Sequence, residues 1–368
     1  MNEMLLTWLI FILAFGGMVL IHEFGHFIVA RLCKIEVEEF GIGLPTPGAL
    51  TLFTWQGTRF TLNWLPLGGF VRPKGENDPS VPGGLAAASP WKRLAVLFAG
   101  PLMNLLTAVL IYSIIFGRVG VPDATRVLVS SVTEGSPAAQ AGFEDGDIFI
   151  SGNGQPIRSI DELRVIVDAN ESKPVNFLVD RNGEQVELTA TPELNAEAKR
   201  IMIGVGLGVP FKQSTSPVET LSLGARYTYL NIRTLIALPA QMIRGTLDSE
   251  QSRLVGLKGI FDVLQQTVSR DVEATTTAPT STDPIDQPVR TLELIASLSI
   301  SLGLFNLFPF PALDGGRIIF ILPELLFRKR VSPQVENLVH GMGMAFLLLL
   351  MIYINVMDFV NPINVTIP

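Results

Sequence analysis

One cysteine, Cys33, stands in a chain of 368 residues. That excludes an internal disulfide and every cysteine-rich zinc site. Histidine is almost as scarce: there are three, and two of them, His22 and His26, sit four residues apart. Charge is thin as well. Asp, Glu, Lys and Arg make up 17% of the chain, where a soluble domain carries about 25%. The net charge of -7 comes without a basic patch, which excludes nucleic acid as a natural partner. Apolar residues fill the gap, at 48% of the chain with a mean hydropathy of +0.40. This is the composition of a membrane protein.

The apolar residues are gathered into runs. Met4 to Val29 is apolar except at His22, Glu23 and His26, and Leu94 to Phe116 has no charge. Leu294 to Phe327 is apolar but broken by Asp314, Arg317 and Glu324, and Met342 to Val356 is uncharged. A spanning helix needs about 20 mainly apolar residues. Four spans are expected, at 4–31, 94–117, 294–327 with an irregular middle, and 338–360. The first is not expected to be a signal peptide, because Met1-Asn2-Glu3 lacks a positive start and no small-residue cleavage site follows. Lys and Arg cluster after span one (Arg31, Lys34, Arg59, Arg72, Lys74, Lys92, Arg93) and after span three (Arg328, Lys329, Arg330). With basic loops inside, both ends of the chain and the long region 118–293 are expected outside.

Between spans one and two, residues 35–75 alternate apolar and polar with turn signals. Val37–Phe40, Leu50–Phe53 and Arg59–Leu62 predict strands, Trp55–Thr58 a hairpin turn, and Leu67–Val71 the end of a small antiparallel sheet. Residues 75–90 predict a loop. Residues 120–212 predict a compact α+β domain. Its features include a strand at Arg126–Val132 and a short helix between Ser136 as N-cap and Gly142 as C-cap. A helix at Asp161–Ala169 and a hairpin across Asn182-Gly183 follow. An amphipathic helix is expected around Leu221–Ile243, and Thr275 to Pro288 predicts a flexible external loop.

The chemistry begins at His22-Glu23-Phe24-Gly25-His26. Residues four apart on a helix share a face, so both imidazoles can bind one zinc with Glu23 as general base. The short motif is weak by itself, and the bland alternative is an exposed polar helix. Ionisable groups inside an apolar span are costly and mark function, which favours metal binding. A catalytic zinc needs a third protein ligand. Asp314 is the better choice, because two prolines and two glycines break its span into irregular backbone of the kind that lines a watery cavity. His340 is read by default as a loop histidine. Asn306 can donate to a developing oxyanion or serve helix packing.

The H-E-F-G-H motif with the N-L-F-P-F-P-A-L-D-G-G segment at 306–316 resembles the site-2 protease family. The chain most resembles its bacterial branch, the regulators of sigma-E-type proteases with an extracytoplasmic PDZ domain. Leu67-Gly68-Gly69-Phe70-Val71 and the Gly100-Pro101-Leu102-Met103-Asn104 pattern also match, while Leu257 stands where the family has proline. Residues 136–147 carry the PDZ likeness, with Ile203–Gly206 either a carboxylate-binding loop or an ordinary final strand. The domain is accordingly a peptide binder or a steric filter.

The resemblance implies a multi-pass α-helical protein of the bacterial inner membrane, with four spans, a small membrane-associated β-sheet and an extracytoplasmic PDZ domain. It implies one zinc ion held by His22, His26 and Asp314, Glu23 as base, and Asn306 as a substrate- or transition-state-binding residue. Its expected substrates are single-pass membrane proteins, such as anti-sigma factors or signal-peptide remnants, cut within their spans. The expected divisions are 1–34, 35–91, 92–119, 120–212 (the PDZ domain), 213–293, 294–330 and 331–368. A membrane adaptor with a vestigial motif is countered by the intact His22, Glu23, His26 and Asp314. A metal transporter has no evident use for a PDZ domain or for Glu23.

Overall fold

The computed structural model describes residues 3–195, 200–214, 216–245, 254–277 and 287–361. In chain order the elements begin with α1 (Glu3–Leu32), β1 (Val37–Leu44), β2 (Leu50–Trp55), β3 (Thr58–Leu62), β4 (Leu65–Pro73) and α2 (Pro90–Val119). Then come β5 (Val121–Pro122), β6 (Val127–Val132), α3 (Pro137–Ala141), β7 (Ile148–Gly152), β8 (Gln155–Pro156), α4 (Ile160–Asp168), β9 (Val175–Arg181) and β10 (Glu184–Ala190). The strands β11 (Glu193–Asn195), β12 (Arg200–Met202), β13 (Val205–Gly208) and β14 (Phe211–Lys212) follow. The chain closes with α5 (Pro217–Ile243), α6 (Leu257–Thr277), α7 (Arg290–Asn306), α8 (Asp314–Phe327) and α9 (Pro333–Val360). These elements fall into two compact units, Met1–Phe116 with Ser216–Pro368, and Gly117–Thr215.

In the larger unit α1, α2 and α9 are long and apolar enough to cross a membrane. The expected third span is two helices, α7 and α8, and its irregular middle is a turn at 307–313. Pro309 and Pro311 force the break, since proline removes a helix donor and restricts the residue before it. The glycines keep the broken ends close. A Cβ on Gly316 would lie 2.7 Å from the Phe310 carbonyl carbon, and one on Gly315 would collide with the Leu307 and Phe308 carbonyls. α1 and α2 also meet through small residues. A Cβ on Gly25 would lie 2.8 Å from the Ala99 carbonyl carbon, so only glycine permits this approach.

Three expectations are corrected here. The sheet of the larger unit has the order β2-β3-β1-β4, and β1 pairs with β3 in parallel. It is therefore mixed, because the chain passes from β1 across to β2 before returning through β3. The hairpin β2–β3 turns at Gln56 and Gly57 as expected, with φ of 48° and 85°. Residues 257–260 open α6, a helix not among those expected from the sequence although Ile260, Leu264 and Val268 recur every four residues. Leu264 and Val268 are buried with Phe11 of α1. Of the expected loop Thr275–Pro288, Thr275–Thr277 belong to α6, and residues 278–286 lie outside the described residues. Finally, His340 is not in a loop but within α9.

The smaller unit is an antiparallel sheet of order β10-β9-β7-β6-β13, with β8 paired to β7. Its core joins Val127, Val129, Phe143, Phe149, Leu163, Phe177 and Val179. Ser136 caps α3, and Gly142 ends it at φ 83°, as the sequence predicts. Asp147 is fully buried and bonded to Arg181 through Nε (2.7 Å) and Nη2 (2.8 Å). Burial pushes the Asp147 carboxyl up, but Arg181 and the Glu144 backbone N–H outweigh it and hold the carboxyl below its usual range. A depressed carboxyl stabilises the fold above the unfolded-state pKa, about 4, and loses that contribution as pH falls through the folded-state value. Arg181→Met should destabilise this unit by about 3 kcal/mol at neutral pH. Hydrogen exchange at the Val127 and Val129 amides of the full chain is the measure. The deficit should shrink on acidification toward about pH 3.

Candidate metal centre

α1 carries His22 and His26 one turn apart, and α8 begins at Asp314. The Nε2 atoms of the two histidines lie 3.1 Å from each other. Asp314 Oδ2 lies 3.1 Å from His22 Nε2 and 3.4 Å from His26 Nε2. Among the described residues these three form a donor group whose ligand atoms all lie within 4.8 Å of one another. Asp314 Oδ2 is buried without a hydrogen-bond partner. Bond lengths of about 2.0–2.1 Å around a tetrahedral zinc put neighbouring ligand atoms about 3.3 Å apart. The spacing, the buried carboxylate oxygen and the His₂-carboxylate chemistry all fit such an ion.

The surroundings fix each donor. His26 Nδ1 donates to the Val96 carbonyl at 2.7 Å. His22 Nδ1 lies 3.2 Å from the carboxamide of Asn104, which is fully buried in α2. Gly100, on the same helix, leaves room for the imidazoles: a Cβ there would come within 2.6 Å of His26 Cε1 and 2.9 Å of His22 Nε2.

Glu23 faces the sheet. Its Oε2 accepts from the Val71 N–H at 3.0 Å, on edge strand β4. A cavity of about 380 Å³ is lined by His22, Glu23, His26, Asn306 and Asp314, so the structure brings these five candidates together. Asn306 donates one hydrogen bond to the Leu302 carbonyl at 3.0 Å.

Two contributors escaped sequence reasoning. Asn104 could be seen only as part of a pattern, since nothing local tied it to His22. His340 accepts from the Ala312 N–H at 2.8 Å, and Ala312 holds a positive φ of 79°. That bond secures the strained turn that delivers Asp314. Its only sequence signal was a rare polar residue beside a membrane span.

Comparison with known proteins shows the family. The profile of peptidase family M50 matches residues 10–350. A candidate zinc metalloprotease of Brucella suis is 31% identical over 354 residues, covering 90% of this chain and 89% of that protein. The metalloprotease MmpA of Caulobacter vibrioides is 30% identical, covering 95% of this chain and 94% of its own length. A crystal structure of the PDZ domain of an SdrC-like protein from Listeria monocytogenes matches 22% of this chain and 85% of that domain, at 20% identity and a TM-score of 0.21. The chain belongs to peptidase family M50, and it is a membrane-embedded zinc metalloendopeptidase.

Proposed function

We propose that the chain hydrolyses peptide bonds within the transmembrane segments of other membrane proteins, at a zinc held by His22, His26 and Asp314. One observation carries this reading: the three donor atoms converge beside Glu23 in a cavity lined in part by α1, α2 and α9, which are apolar enough to span a membrane. When bound, zinc supplies a Lewis acid that makes water nucleophilic near neutral pH and polarises the peptide carbonyl. Glu23 takes the proton from the attacking water and passes it to the leaving amine. Asn306 spends one amide hydrogen on Leu302, and its second is free to donate to the carbonyl oxygen as charge develops there.

For both imidazoles to offer Nε2, both Nδ1 atoms must carry the proton. His26 meets that demand by donating to Val96. His22 meets it when the Asn104 carboxamide presents its oxygen, which is otherwise buried without a partner.

A substrate helix must unwind to be cut, and its freed amides then need partners. The free edge of β4 offers them. The Val71 N–H points from that edge to Glu23, so a strand added there would run past the base. In the proposed topology α1, α2, the α7–α8 pair and α9 are four spans of the bacterial inner membrane. The sheet is cytoplasmic, and both ends of the chain and the 117–215 unit are extracytoplasmic. The resemblance points to single-pass substrates such as anti-sigma factors or signal-peptide remnants. In the PDZ-like unit, a cavity of about 340 Å³ runs between α4 and edge strand β13. That groove favours capture of an extended peptide over a purely steric filter.

Glu23→Gln should keep one zinc per chain and abolish cleavage of a tagged membrane substrate. Continued cleavage by the purified variant would sink the mechanism. Asn104→Ala should weaken zinc binding by roughly 10–100-fold, read by competition with a chelator. Gly69→Pro removes an outward N–H from the β4 edge, two residues from Val71, and should slow cleavage of a helical substrate at unchanged zinc content. Equal rates would count against strand addition.

A further inference from the structure

The cavity around Glu23 also contains an ion pair that the hydrolysis above does not use. Arg317 lies three residues after Asp314 on α8, so both side chains leave the helix on one side. Arg317 Nη1 pairs with Glu76 Oε1, and both residues line the cavity with His22, Glu23 and Asp314. Their side chains are 36% and 30% exposed, so neither is sealed into the protein.

Glu76 comes from the segment 74–89, which joins β4 to α2 through turns. That segment is pinned across its base: Leu85 N donates to Lys74 O at 2.9 Å, and Ala86 N to Gly75 O at 3.1 Å. Leu85 and Ala86 are buried. Glu76 lies within the loop so closed, and its carboxylate can leave Arg317 without opening a helix or a strand.

Peptide hydrolysis consumes one water and yields a carboxylate on one fragment and an amine on the other. The proton released at the carboxyl end goes to the amine by way of Glu23. A new anion thus appears in an enclosure that already contains a guanidinium. Guanidinium and carboxylate match as two-pronged donor and acceptor. Replacing the Glu76 carboxylate by the product carboxylate leaves Arg317 with one carboxylate partner before and after the exchange.

We propose that Arg317 is a carboxylate-binding site for the C-terminus newly formed on the N-terminal fragment, and that Glu76 fills this site as an internal competitor in the resting chain. The proposal rests on the protease reading of the same cavity. It makes Arg317 a determinant of product retention and Glu76 a determinant of product release.

The test compares two probes, acetyl-Leu-Leu-Leu with a free carboxylate and the same peptide as its carboxamide. Each competes with cleavage of a tagged membrane substrate by the purified, zinc-loaded full chain. The acid should inhibit at about tenfold lower concentration than the amide. Arg317→Gln should reduce that ratio by about fivefold at unchanged zinc content, and Arg317→Lys should restore part of it. Glu76→Gln should raise the ratio, because the internal competitor is gone. An unchanged ratio in zinc-replete Arg317→Gln would assign carboxylate selection to the metal and overturn the proposal. So would a Glu76→Gln chain that fails to bind the acid more tightly. A damaged fold cannot mimic that gain, so Glu76→Gln decides the matter even where Arg317→Gln does not fold. If the chain cleaves nothing, the same ratio is read from thermal stabilisation of the zinc-loaded protein. Failure of the protease reading is thereby distinguished from failure of this one.

Discussion

Three polar donors set among apolar helices have to satisfy one another, and most of the larger unit is arranged around that demand. His22, His26 and Asp314 are too polar to face lipid, and their converging lone pairs repel unless a proton or a cation lies between them. In the proposed reading a metal ion held by the three would resolve both problems at once. It would also tie α1 to α8, joining residues almost three hundred positions apart.

That meeting requires room and a rigid surround. Room comes from glycines at the points of closest approach: Gly25 against Ala99, Gly100 against the imidazoles, Gly315 and Gly316 against the preceding turn. Rigidity comes from polar atoms that each have one task. Val96 and Asn104 orient the histidines, Val71 holds Glu23, and His340 secures the turn before Asp314. Because β4 supplies Val71, Glu23 is held against an edge strand. In the proposed function that one hydrogen bond would link the base to the strand that receives an unwound peptide.

Much of this was legible in the sequence where the signals are local. The hairpins at Gln56-Gly57 and Asn182-Gly183 follow from residues that tolerate positive φ, and the Ser136 and Gly142 caps from side-chain chemistry. The membrane helices follow from run length, and the break at 307–313 from two prolines. Strand order was not legible, because β1 pairs with β3 in parallel across an intervening hairpin that leaves no mark in local periodicity. α6 was missed although its apolar residues recur every four positions, since its polar remainder resembles a surface loop.

The sequence by itself determined which residues can do chemistry. H-E-x-x-H offers a zinc pair only on a helix, and an acid inside a proline-broken apolar segment has few roles besides a ligand. Both follow from short-range spacing and from the cost of charge in an apolar medium. Only the tertiary structure decided which groups meet. Asn104 under His22, His340 beneath Ala312 and Glu76 against Arg317 are contacts between segments distant in the chain. Such contacts depend on how helices pack, and packing is set by the shapes of all the side chains together.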